Sequence, residues 1–186
     1  MLILASSVRG GASSLEARQA AALGLTADLA TDEQWAAKTA SDFGTYRAIV
    51  LGDRNCEGVK RLAAAEANKD VWAPALNGSL IVVGTHPAFN GHPVPGAVAL
   101  ANHALNFATS AAGTGAYITL GCFYDVSQPG TEVGLLQPLG SFRVVGQEGC
   151  SGDAHLVASD PALGDLTDDQ LSNWRPGKGQ CDTDTG

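Results

Sequence analysis

Residues 1–30 read MLILASSVRGGASSLEARQAAALGLTADLA, and this stretch decides the predicted fold. The aliphatic run at 2–5 has the length and composition of a buried strand. A capping-box pattern, Ser13-x-x-Glu16, then opens a helical run, and Gly24 is placed to stop it. A second strand is predicted at 26–30. Strand, helix and strand in such quick succession predict a βαβ unit and therefore a parallel sheet.

The rest of the chain repeats this alternation. The runs at 48–51 and 80–83 are apolar at consecutive positions, which is typical of strands covered on both faces. Helices are predicted from Thr31 or Asp32 to Lys38, over 58–68, from Pro95 along an apolar face to 108, and from the capping box Thr167-x-x-Gln170. The strand candidates are 48–52, 80–84, 117–121, 142–146 and 155–158. The prediction is an α/β three-layer sandwich with a mostly parallel, doubly wound central sheet.

Composition limits the functional classes. The chain has 186 residues, a formal net charge of -8 and 45% hydrophobic residues, which predicts one α/β domain over 1–174. Residues 175–186 are polar and aperiodic, and are interpreted as a tail or linker. The acidic balance disfavours nucleic-acid binding. No apolar run approaches the roughly 20 residues of a membrane span, and Met1 leads into the first strand without a signal-peptide pattern.

Ligands of doubly wound sheets bind outside the carboxyl ends of the strands, where the strand order reverses. The residues that follow the predicted strands are therefore the binding candidates. The loop that follows the first strand is rich in glycine and hydroxyl groups and leads into a helix, which is one way to hold a phosphate, although such a loop is more commonly a plain turn. The candidate ligand-binding residues are Ser6, Ser7, Arg9, Gly10, Gly11, Asp53, Asn55 and Thr85.

A cysteine follows the predicted strand at 117–121. Cys122 lies where a strand-to-helix elbow exposes a nucleophile, and His86 and His155 are the candidate bases. Tyr124 crowds such an elbow, so a buried or disulfide-bonded Cys122 is the competing interpretation. The spacing of His86 and His92 matches no standard metal geometry, and neither a metal nor a cofactor is expected.

The order of these elements resembles the class I glutamine amidotransferase-like fold, in a divergent form associated with secreted actinobacterial proteins. The resemblance rests on the runs at 2–6, 48–53, 82–87, 117–122 and 154–163. In that family the elbow reads G-x-C-x-G and a His-Pro-Glu supplies the base. Here Gly121 directly precedes Cys122, the second glycine is absent, and Asp160-Pro161-Ala162 stands at the His-Pro-Glu position. The resemblance implies the fold, and these departures argue against glutamine hydrolysis.

Two functional hypotheses follow from these residues. The first is a non-catalytic binding or structural domain of a secreted or cell-surface bacterial protein, with an unknown small-molecule or protein ligand and a Cys122–Cys150 disulfide. The second is a cysteine-dependent hydrolase or amidase that uses Cys122 on a small amide or ester. A third interpretation, a flavodoxin-like binder of a phosphorylated ligand at 6–14, ranks last because its only aromatic candidates are Trp35, Trp72 and Tyr124.

Overall fold

The computed structural model describes residues 1–54, 62–85, 87, 95–121, 124, 127–145, 154–160 and 162–172. Five strands form one parallel sheet in the order β2-β1-β3-β5-β4. They are β1 (Leu2–Leu4), β2 (Asp28–Ala30), β3 (Ala48–Leu51), β4 (Leu80–Val83) and β5 (Gly115–Thr119). The helices are α1 (Leu15–Ala22), α2 (Asp32–Ala36), α3 (Ala40–Phe43), α4 (Ala63–Ala67), α5 (Lys69–Trp72), α6 (Pro95–Ser110) and α7 (Asp168–Leu171). The predicted α/β sandwich is confirmed.

Both faces of the sheet are covered, because successive side chains of its strands point to opposite sides. Leu2 and Leu4 of β1 pack with Trp35, Phe43 and Trp72 on the face that carries α2, α3, α4 and α5. On the opposite face, Ile3 and Tyr117 pack with Ala104 and Leu105 of α6, and α1 lies beside α6. The two indole N–H groups are satisfied inside the first layer, by Asn68 and by the carbonyl of Ala65. Trp35 and Trp72 are therefore core residues.

Local capping explains where the first helices begin and end. The N-cap of α1 is Ser14, not the predicted Ser13, and the Ser14 Oγ accepts from the Ala17 N–H at 3.1 Å. The Ser13 N–H instead donates to the Gly10 carbonyl. The predicted stop at Gly24 is confirmed by its φ of +70°, a left-handed conformation that favours glycine. The helix predicted from 31 or 32 to 38 begins as predicted but ends at Ala36, and Thr39 caps a separate, unpredicted helix that begins at Ala40.

Later elements follow the predictions in part. Helix α6 begins at Pro95, and the Thr167–Gln170 capping box opens α7, both as predicted. Of the helix predicted over 58–68, the described residues show α4 over Ala63–Ala67.

Two predicted strands are wrong within the described residues. Residues 142–145 form one isolated bridge, Arg143 with Glu132, and 155–158 form no strand. The side chain of Val157 is 96% exposed, so its segment has no partner layer to cover it.

The prediction that 80–83 is covered on both faces is also wrong. Strand β4 lies at the edge of the sheet, with β5 between it and β3, so the last two strands exchange places relative to the flavodoxin-like order. Leu80 and Val82 are 38% and 37% exposed. Among the helices of the described residues, none is long and apolar enough to cross a membrane.

Candidate functional site

The direction of winding reverses between β1 and β3. After β1 the chain forms α1 on one face of the sheet, whereas the chain that follows β3 leads to α4 on the other face. The loops after β1 and β3 therefore separate at the carboxyl edge, which is the topological switch point where such sheets bind ligands. Six of the candidate ligand-binding residues belong to these two loops: Ser6, Ser7, Arg9, Gly10, Gly11 and Asp53.

The crevice between these two strand ends is tightly filled. The Ser7 hydroxyl is fully buried, donates to the Leu4 carbonyl at 2.7 Å and accepts from the Gly52 N–H at 2.9 Å. A Cβ at Gly52 would lie 2.8 Å from Val8 Cγ1, 3.0 Å from Glu16 Oε1 and 3.0 Å from the Ser7 carbonyl oxygen. A side chain at this strand end therefore forces at least one of these neighbours to move. We call Ser7, Val8, Glu16, Gly52 and Asp53 the switch-point cluster.

Asp53 has the most unusual backbone in this cluster. It directly follows Gly52, its side chain is buried, and its φ is +38°, the one positive φ of a non-glycine residue among those the structure describes. Such a conformation costs of order 1–3 kcal/mol and concentrates at functional sites. The next side chain, Arg54, is half-buried, and its Nη1 lies 3.5 Å from the Val8 carbonyl oxygen.

The loop after β1 satisfies most of its own hydrogen bonds. Gly10 and Gly11 have φ values of +89° and +55°, and their carbonyls accept from Ser13 and Ser14. At the N-terminus of α1, the Ala17 N–H donates to Ser14 and the Glu16 carboxyl group accepts from its own N–H. The carboxyl group of Glu16 thus occupies the position where a bound anion would be expected.

The outer part of this loop is open to solvent. Arg9 and Gly10 are exposed, and the Ser6 hydroxyl donates to the carboxylate of Asp32 at the start of α2. The rim of the crevice therefore carries the cationic side chains of Arg9 and Arg54 together with hydroxyl and carboxylate groups.

Three buried polar groups were not predicted from the sequence. They are the carboxyl group of Glu16 and the hydroxyl groups of Tyr117 and Thr119. Glu16 is 2% exposed, and burial raises the pKa of its carboxyl group. Tyr117 is also buried, and burial, followed by the charge of Glu16, raises its pKa well above 10. The buried Thr119 Oγ1 has no hydrogen-bond partner within the described residues. The capping-box pattern could have indicated Glu16 as a helix-start residue, but not its burial.

Several predicted residues follow β4 and β5, the two strands on the far side of β3 from β1. The half-buried Thr85 follows β4, and the parallel register pairs Val83 of β4 with Thr119 of β5. His86, Asn55 and Cys122 lie outside the described residues, as do Cys150 and the other cysteines, Cys56 and Cys181. The Cys122 nucleophile and the Cys122–Cys150 disulfide therefore stay predictions.

His155 is tied to a different part of the molecule. Its Nδ1 lies 3.2 Å from Asp168 Oδ2 at the start of α7, and Asp168 Oδ1 accepts from the Leu156 N–H. The backbone N–H of Leu156, followed by the hydrogen bond with His155, lowers the pKa of Asp168. This exposed pair fastens 154–156 to α7. Within the described chain, no three His, Cys, Asp or Glu side chains are grouped to hold a metal ion.

Tyr124 has a structural role beside the carboxyl edge. Its hydroxyl donates to Glu66 Oε1 at 3.0 Å and accepts from the Leu135 N–H at 3.1 Å. Burial raises its pKa to about 12, so the hydroxyl is neutral and acts as a donor. The pair joins α4 to the 3₁₀ helix Gly134–Leu139.

Comparison with known proteins assigns this chain to no family. No protein-family model, no curated protein and no solved structure matches the chain.

Proposed function

We propose that this chain is a non-catalytic binding domain that takes a small polar ligand at the switch point between β1 and β3. The observation that carries the proposal is Asp53, a buried, non-glycine residue with positive φ at the end of a central strand. The fold maintains this strained conformation directly beside the position where parallel α/β sheets bind ligands.

The ligand class follows from the charges at the rim. Guanidinium groups bind carboxylates through paired hydrogen bonds. Arg54 Nη1 lies 3.5 Å from the Val8 carbonyl oxygen, and the exposed Arg9 directly follows Val8 in the chain. In a chain of net charge -8, two arginines at one strand edge favour a small ligand with a carboxylate group. Buried Glu16 at the α1 N-terminus disfavours a phosphate there, because its carboxyl group already accepts a backbone N–H.

A binding measurement with matched arginine variants tests this proposal. Calorimetric titration with citrate and with glutamate is expected to detect binding, and glucose is the neutral comparison. Arg9→Ala is expected to weaken binding by about 10- to 100-fold, because one charge-assisted hydrogen bond contributes roughly 1.5–3 kcal/mol. The control is Arg143→Ala, since Arg143 is also exposed but contacts Glu132 and the Gly130 carbonyl in the 127–145 segment. Equal losses in both variants would contradict a site at Arg9.

The scaffold and location are part of the same proposal. A degenerate class I glutamine amidotransferase-like domain, on a secreted or cell-surface bacterial protein, is consistent with the parallel α/β sheet and with the absence of the His-Pro-Glu motif at Asp160-Pro161-Ala162. Fold similarity alone does not assign this function.

The register of β4 and β5 favours one alternative function. Val83 pairs with Thr119, and His86 and Cys122 each follow three positions later in the sequence. The histidine and the cysteine therefore follow two adjacent, paired strands at the same distance in sequence. A cysteine hydrolase or amidase would use such a pair as base and nucleophile.

Alkylation kinetics test this alternative. An activated Cys122 is expected to react quickly even well below the ordinary thiol pKa of about 8.5, and Cys122→Ala is expected to remove the fast phase. Reaction of Cys122 only after unfolding would exclude the hydrolase.

A further inference from the structure

The carboxyl group of Glu16 occupies a confined position under the switch point. The residue belongs to α1, is 2% exposed, and places Oε1 3.0 Å from the position that a Cβ on Gly52 would take. Val8 packs against the same point from the β1 loop. The carboxyl group therefore lies inside the contact that holds the ends of β1 and β3 together.

Few groups compensate a charge at this position. The carboxyl group accepts from its own backbone N–H and from the Ser14 hydroxyl, and Arg18 on the same helix acts only through its charge. None of the salt bridges among the described residues involves Glu16. A buried carboxylate without an ion pair is costly, whereas the neutral acid is not.

The titratable groups of the neighbouring elements do not remove the cost of a charge on Glu16. β5 presents Tyr117, which is buried and neutral. The titratable side chain of α6 is His103, whose Nε2 is paired with Asp165 at 2.9 Å. The chain after β3 carries Asp53 and Arg54, which have opposite charges.

We propose that Glu16 is a proton-dependent latch on the crevice between β1 and β3. The protonated side chain stays packed beneath Gly52 and keeps the crevice closed. The ionised side chain moves toward water, which separates the first turn of α1 and the loop at 5–14 from the end of β3. In the closed structure the buried Ser7 hydroxyl accepts a hydrogen bond from the Gly52 N–H, and opening exposes both groups.

The direction of the pH dependence follows from linkage. Burial raises the pKa of Glu16 above its ordinary value of 4.5, so the closed state holds the proton more tightly than an open or unfolded chain. The closed state is therefore fully favoured below that ordinary value, and its advantage is lost as the pH rises through the raised pKa.

Amide hydrogen exchange on the full chain without ligand tests the latch. The Gly52 amide reports opening of the crevice, and the Val50 amide inside β3 reports global unfolding. Between about pH 5 and about pH 8, after correction for intrinsic exchange, Gly52 is expected to be less protected than Val50, and its protection is expected to fall by up to about tenfold per pH unit until the pH reaches the raised pKa of Glu16. Glu16→Gln is expected to abolish this fall. The matched control Glu33→Gln, on exposed α2, is expected to retain it.

Two results would overturn the latch. The first is an equal pH dependence of Gly52 protection in the wild type and in Glu16→Gln. The second is equal protection at Gly52 and Val50 over this pH range, because that result indicates that Gly52 exchanges only through global unfolding and not through local opening. The wild-type comparison of the two amides decides the question even if Glu16→Gln does not fold. Because no ligand is present, failure of the latch leaves the proposed binding function to its own test.

Discussion

Replacing Gly52 by alanine tests the packing of the switch-point cluster. The added methyl carbon would lie 2.8 Å from Val8 Cγ1 and 3.0 Å from both Glu16 Oε1 and the Ser7 carbonyl oxygen. Carbon atoms pack best at about 3.5–4.0 Å, so at least one of these neighbours must move. Gly84 provides the matched control, because it directly follows β4 as Gly52 follows β3, yet a Cβ there meets nothing within 4 Å.

The expected magnitude combines two opposing effects. Overpacking a filled site costs about 1–3 kcal/mol. Replacing glycine by alanine where the backbone permits it returns about 0.4–1 kcal/mol by restricting the unfolded chain. We therefore expect Gly52→Ala to lower the free energy of unfolding by about 1–2 kcal/mol. For a chain of this size, the melting temperature would fall by about 2–8 °C. Gly84→Ala is expected to be neutral or slightly stabilising.

Urea denaturation followed by tryptophan fluorescence measures this difference, because Trp35 and Trp72 are fully buried and report loss of the core. The midpoint is expected to fall in Gly52→Ala with an unchanged slope. If the unfolding free energies of Gly52→Ala and Gly84→Ala agree within about 0.5 kcal/mol, the crevice is not closed as described and the reasoning is refuted.

Three further substitutions test contacts elsewhere. Tyr124→Phe leaves the Glu66 carboxylate and a backbone N–H without their hydroxyl partner and is expected to cost about 1–3 kcal/mol in urea denaturation. Because the pKa of Tyr124 is raised to about 12, its share of the wild-type stability is lost between about pH 10 and pH 12, which ultraviolet titration checks. Gly96→Ala would place a Cβ 1.6 Å from the Gln170 carbonyl oxygen, and limited proteolysis is expected to cut the released 154–172 segment faster. Thr167→Ala removes the α7 cap and is expected to cost about 1 kcal/mol by the same denaturation assay, whereas unchanged stability would show that α7 contributes nothing.

The sequence predicts the layers of the fold better than the order of its strands. Capping boxes and apolar runs are local signals, so they locate α1, α6 and α7 and most of the sheet. The position of β4 at the edge depends on which strand pairs with β5, and an apolar run carries no information on that choice. The exposure of Leu80 and Val82 is the consequence.

For the candidate site, too, the general position could be predicted from the sequence, whereas the long-range contacts could not. The switch point could be predicted, because the carboxyl ends of parallel strands share one edge of the sheet. The burial of Glu16 could not, because it depends on the missing side chain of Gly52, which is 36 positions away in sequence. The contact between His155 and Asp168 could not be predicted either, because it joins residues that are 13 positions apart through the fold of the 154–172 segment.

The most direct test of the central claim is an amide NMR titration of the wild-type chain with citrate and with glutamate. Ligand binding at the switch point predicts shifts that concentrate in the loop after β1 and at 52–54, with few at the amino ends of the strands. Shifts confined to other surfaces, or no shifts at millimolar ligand, would contradict a binding site between β1 and β3.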